Sequence, residues 1–163
     1  MTTPELVFSV LALIGAGGAV LLVTAKNVVH AALYLVVTLA AVAAVYLVLT
    51  SEFVAWTQVL IYVGAIVVLL LFSLMLTRAP IGREALDNQQ RGIAALVGAA
   101  ILGGLAYLLN DAFRGARIEL EPTFTADVGE QMFSTYVLPF EVVSFLLLAA
   151  LIGAIVLARK EDA

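Results

Sequence analysis

The 163-residue sequence contains no cysteine. Disulfides and thiolate metal sites are therefore excluded, and cysteine usage says nothing about redox compartment. There is one histidine, and neither an HExxH pattern nor a clustered ligand spacing occurs, which argues against a metal site. Charge is also scarce. Asp, Glu, Lys and Arg make up 12% of the chain, about half the usual share of a soluble domain. The formal net charge of −4 leaves no basic surface for nucleic acid. No nucleophile–base–acid constellation and no phosphate loop appears, so no independent catalytic site is expected in this chain. No repeat recurs at a fixed period, and no low-complexity tract is present.

What is abundant is grease: 64% of the residues are hydrophobic. Too little polar surface remains to cover a water-soluble globule. The expected class is an all-α integral membrane protein forming a single membrane domain over 1–163. A bilayer core needs roughly 20 apolar residues as helix, and the charges mark where such runs end. Five spans follow, at about 6–25, 31–51, 53–77, 92–110 and 134–158. The start, MTTPELVFSV, lacks the basic region of a secretory signal, so the first span is expected to be retained. The segment 78–91 is polar, with Pro80 and Gly82 as turn signals. A longer loop, about 111–133, carries seven charged residues.

Orientation is read from Lys and Arg in the short connections. With the N-terminus outside, the inner connections hold Lys26, Arg78, Arg83, Arg91, Arg159 and Lys160. The outer ones hold only Arg114 and Arg117. The expectation is N-outside and C-cytoplasmic. The loop bearing Asp111, Glu119, Glu121, Asp127 and Glu130 then faces outward. Gly15, Gly17 and Gly18 in the first span, and Gly98, Gly103 and Gly104 in the fourth, mark helices packed closely against other protein. Lipid offers no hydrophobic drive for helices to associate, so close backbone approach must supply it. Five short spans with almost no extramembrane mass indicate a subunit rather than a self-sufficient machine.

The third span, WTQVLIYVGAIVVLLLF, encloses Gln58, Tyr62 and Gly64. Gln58 and Tyr62 are four apart and share a face of an α-helix. Two readings stand. In one, both side chains hydrogen-bond to neighbouring helices and Gly64 admits a close contact. In the other, Gly64 is a weak point, since it lowers helical propensity by about 1 kcal/mol relative to Ala. A local π-turn there is the kind of irregularity that often sits at functional sites.

Glu141 is the deepest acid. A carboxylate at the bilayer centre costs about 2.5 to 3.5 kcal/mol on insertion scales. Pro139 suits a first helical turn, and an acid near it suits the positive end of the helix dipole. Glu5 after Pro4 repeats that arrangement. Glu141 is therefore read either as part of a capped helix start or as a carboxylate facing a wet cavity. His30, at the entry to the second span, reads as a solvated or capping residue, with a proton relay as the alternative; Tyr34, on the same face, reads as an interfacial anchor.

Three segments together resemble one family: KNVVHAALYLVV (26–37), QVLIYVGAIVVLLLFSLML (58–76) and YVLPFEVVSFLLLAALIGAIVLA (136–158). They are similar to subunit J of respiratory NADH:quinone oxidoreductase, complex I, the counterpart of mitochondrial NADH dehydrogenase subunit 6. The resemblance implies a non-catalytic membrane-arm subunit of a proton-translocating enzyme in a bacterial plasma membrane. It implies FMN, iron–sulfur clusters and quinone in other subunits. It implies packing in lipid beside the subunit that holds the quinone site, subunits A and K and the antiporter-like subunit N. It also implies a π-bulge in the third helix around Tyr62, Val63, Gly64, Ala65 and Val67, gating a water path. Gln58 would supply a polar contact there without titrating. The motif departs from many members at Asn27-Val28, where those have Asn-Pro, which implies a less constrained entry to the second span. The alternative is a small independent proton-coupled transporter using Glu141. Sparse intramembrane charge and the lack of internal repeats argue against it.

Overall fold

The computed structural model describes residues 3–77, 90–115 and 122–159, leaving aside the side chain of Arg91. The expected turn at Pro80 and Gly82 lies outside the described residues, as do Arg78, Arg83, Arg117, Glu119, Glu121 and Lys160. The elements follow in order: α1 (Thr3–Thr24), α2 (Val28–Val48), α3 (Glu52–Thr57), a π-helical stretch (Gln58–Ile66), α4 (Val67–Leu76), α5 (Arg91–Ala112), α6 (Thr125–Ser134) and α7 (Val137–Ala158). The helix α3, the π stretch and α4 run on as one rod, Glu52–Leu76, so five rods are long and apolar enough to cross a membrane.

The helical fold follows from the solvent. In lipid no water satisfies a stray N–H or C=O, so each span must close its own backbone hydrogen bonds. The hydroxyls obey the same rule. Ser9 donates to the Glu5 carbonyl, Thr38 to Tyr34, Thr57 to Phe53 and Ser144 to Phe140, each four residues back and within 2.7–2.9 Å. The second span starts at an Asn27 cap whose Oδ1 accepts from the Val29 N–H at 2.9 Å. That cap satisfies one of the open N–H groups at the helix start.

The core is small and made of small residues. Ala32, Ala41, Ala43, Ala55 and Val67 are its buried apolar members. The principal packing is α1 on α2. A Cβ at Gly18 would lie 2.7 Å from the Thr38 Oγ1, and one at Gly15 would lie 3.4 Å from the Ala41 Cβ. These glycines let two backbones approach, which is how dispersion holds helices together in lipid. The rod from α3 to α4 then lies along α2. In contrast, α5 touches no other element among the described residues, and α7 touches only α6. Both are apolar and exposed throughout.

One sequence expectation changes. The segment read as a loop over 111–133 contains α6, whose start is held by Asp127 Oδ2 accepting from the Phe124 N–H at 3.2 Å. A turn of three residues separates α2 from α3. There Thr50, at φ 58°, is a β-branched residue in the left-handed region. The Ser51 N–H donates to the Tyr46 carbonyl at 2.9 Å and the Thr50 N–H to Leu47 at 3.0 Å. This bond pair is the Schellman helix stop, with threonine where glycine usually sits.

The α1–α2 seam carries a direct test. Gly18→Val should lower the thermal stability of the chain in detergent by an overpacking cost of about 1–3 kcal/mol. Gly17→Ala, where an added Cβ meets nothing within 4 Å, should be neutral in the same melt.

Candidate functional site

The third span is where local structure departs from regular α winding. The Val67 N–H donates to the Tyr62 carbonyl, five residues back rather than four. Gly64 sits inside this wound-out turn. A Cβ built on it would meet the Val59 carbonyl oxygen at 3.4 Å, again five residues back. Alanine would just fit; a β-branched side chain would crowd that carbonyl.

The winding has a readable consequence for which residues are buried. Along the rod the less exposed positions are Phe53, Ala55, Thr57, Gln58, Val63, Val67, Leu71 and Leu74, and every residue between Gln58 and Val63 is exposed. From Val63 onward the steps are three and four, as in an α-helix; the step of five from Gln58 to Val63 is the added residue of the π turn. Among the described residues, α2 is the one spanning helix that touches this rod along its length, so the stripe faces α2.

The π turn therefore separates two residues that α spacing pairs. Gln58 is 9% exposed and is the one buried polar residue among those described, whereas Tyr62 is 46% exposed. Val67, one turn further, is 1% exposed. Val63 is half-buried; Gly64 and Ala65 are exposed. No fully enclosed side-chain nitrogen or oxygen among the described residues lacks a hydrogen-bond partner, so the Gln58 amide is not sealed off unpaired.

The other polar candidates lie apart from this site. Glu141 is the fifth residue of α7 and is exposed. Pro139 is the third residue of α7, where its missing N–H leaves no bond unmade. Phe140, between them, meets Phe133 of α6 edge-on at a ring separation of 5.2 Å. His30 is exposed at the start of α2, and Tyr34, one turn on, is half-buried with its carbonyl accepting from Thr38. No group of three or more His, Cys, Asp or Glu suited to a metal occurs among the described residues. A shallow apolar cavity of about 200 Å³ lies between α2 and α3, lined by Ala40, Ala43, Ala44, Leu47, Ala55, Trp56 and Val59. Sequence reasoning did not find it, because an alanine-rich helix face reads as close packing rather than as a void.

Among the described residues this polytopic chain has an alanine-rich core, two spans that meet no other span and one irregularly wound rod. Comparison with known proteins gives its family. A family model described as NADH-ubiquinone/plastoquinone oxidoreductase chain 6 matches residues 18–157. The chain is 38% identical over 160 residues to an F(420)H(2) dehydrogenase subunit J of Methanosarcina mazei, covering 95% of this chain and 90% of that protein. It is 43% identical over 154 residues to the NAD(P)H-quinone oxidoreductase subunit 6 of the Paulinella chromatophora chromatophore, covering 91% and 73%. It is 40% identical over 161 residues to the chain 6 protein of Leptolyngbya boryana, covering 94% and 79%. The chain belongs to the chain 6 family of NADH-quinone oxidoreductases, membrane subunits of complex I-type enzymes.

The position of Glu141 leads to a prediction. Glu141→Gln should change quinone-linked electron transfer by the assembled complex less than about twofold, under ~0.5 kcal/mol of barrier. Near-complete loss with the complex intact would make that carboxylate a working proton site.

Proposed function

We propose that this chain is a non-catalytic membrane-arm subunit of a proton-translocating quinone oxidoreductase, and that its third span gates the water path linking quinone reduction to pumping. The observation that carries this reading is the step of five in the buried stripe. In this winding the stripe beyond Gln58 is wholly apolar: Val63, Val67, Leu71 and Leu74. Regular α winding would turn the far half by one residue's share, about 100°. Tyr62, Ile66, Leu70 and Ser73 would then face α2, in line with Gln58. An apolar seam would become one carrying an amide and two hydroxyls, which water can follow. Two such windings need differ by only a few kcal/mol for the state of the enzyme to choose between them.

The reading extends to the surroundings. The chain lies with its N-terminus outside in a bacterial plasma membrane, as the basic residues favour. Its partners are the subunit that holds the quinone site, subunits A and K and the antiporter-like subunit N, with helices covering α5 and α7. FMN, iron–sulfur clusters and quinone belong to the other subunits; this chain holds none. Relatives named for different donors, F(420)H(2) and NAD(P)H, support a role that is common to both and independent of the donor. A free-standing transporter has no such support.

Gly64 is the test. Gly64→Val crowds the Val59 carbonyl and disfavours the π turn. A shift of ~1 kcal/mol changes the ratio of windings about fivefold. Proton uptake per electron, measured in vesicles of the assembled complex, should fall several-fold, while Gly64→Ala stays near normal. Unchanged stoichiometry in an assembled Gly64→Val complex would leave the third span a scaffold.

A further inference from the structure

A change of winding in the middle of a rod must turn one half against the other, and the structure distinguishes the halves. The α3 half is held at its far end. The α2–α3 turn is closed by the bonds from Ser51 to Tyr46 and from Thr50 to Leu47. A third bond ties this turn to a distant part of the chain: the Thr123 N–H donates to the Thr50 carbonyl at 3.3 Å, and Ser51 pairs with Thr123 in an isolated bridge. Just after that bridge, α6 rests on α3. In the middle of α3, Ala55 is 2% exposed against α2, a fit that only a small side chain makes. The left-handed Thr50 belongs to the same arrangement, since its carbonyl points to Thr123 only in that turn.

Among the described residues, the α4 half has no such hold. Among the described residues α4 touches only α2 and the π stretch. Its one buried residue is Val67, at its first position. Beyond Val67, Val68, Leu69, Phe72, Met75 and Leu76 are exposed.

We infer that the Thr50–Ser51–Thr123 junction is a latch that fixes α3, so that any change in the π stretch is delivered as rotation of α4 alone. The segment before α6 thus acts on the gate from a distance, by setting which half of the rod can move. The inference rests on the proposed gate, in which the far half turns, and adds what holds the near half still. The opposite assignment is physically distinct: turning α3 would carry Ala55 off α2 and displace Trp56, which lines the apolar cavity beside it.

The test uses the assembled complex with a nitrile-bearing phenylalanine, p-cyanophenylalanine, placed at Phe72 in α4 or at Phe53 in α3. The nitrile stretch reports local polarity and is read in the resting enzyme and during turnover. The Phe72 band should shift between the two states and the Phe53 band should not. In a Thr123→Pro background, which removes the N–H that Thr50 accepts, the Phe53 band should begin to shift. A Phe53 band that moves in the unaltered chain as much as the Phe72 band, or more, overturns the latch while leaving the gate standing. The latch also fails if Thr123→Pro leaves the Phe53 band still. If neither band moves in the unaltered chain, the rod does not rewind, and the gate falls together with the latch.

Discussion

Everything in this structure depends on the backbone having to satisfy itself. Within lipid an unpaired N–H or C=O costs several kcal/mol. The same rule selects helices for all five spans, and it folds the Ser and Thr hydroxyls back onto carbonyls one turn earlier. It also limits how a span can be irregular. A π turn is an irregularity that lipid tolerates at low cost, because it replaces most bonds four residues back with bonds five residues back and leaves only one carbonyl short of its donor. The Val67 to Tyr62 bond is that exchange.

Side chains decide where the exchange occurs. Gly64 stands where the carbonyl of Val59 passes beneath the helix, and it leaves that carbonyl unobstructed. Gln58 marks the last residue of the buried stripe before the slip, and Val67 anchors the stripe after it. The same small-residue logic holds α1 to α2 through Gly15 and Gly18. Glycine thus has two uses in one membrane chain. At Gly18 it lets two helices close in, and at Gly64 it leaves room beside the Val59 carbonyl of its own helix.

The five spans were legible because charged residues bound each apolar run, and lipid tolerates few charges between them. The bounds differ from expectation by a few residues, the second span beginning at Val28 behind its Asn27 cap. The helix α6 was not legible by hydropathy, since it lies among acids; its signal was Asp127 three residues after Phe124, the spacing of an N-terminal cap contact. The π stretch had no signal in hydrophobic pattern. A step of five can be seen only where buried and exposed faces differ in chemistry, and the run from Val59 to Leu76 is apolar on nearly every side. Resemblance to a family pointed to that region, and the burial stripe located the slip.

The division of labour along the chain follows from where its polar groups are. A hydrogen bond between distant segments lies at the α2–α3 turn, where the Thr123 N–H reaches the Thr50 carbonyl. The remaining spans offer little but apolar surface, and two of them meet no spanning helix of their own chain among the described residues. Apolar helices of this kind carry no preference between lipid and protein beyond the fit of their surfaces. Their position is therefore set by neighbouring subunits, while the first three spans hold one another through alanine, glycine and one tied turn. The winding defect lies between the α3 half, which α6 also touches, and the α4 half, which among the described residues meets only α2 and the π stretch; on the reading proposed above, a change in the neighbours would there become rotation of one half-helix.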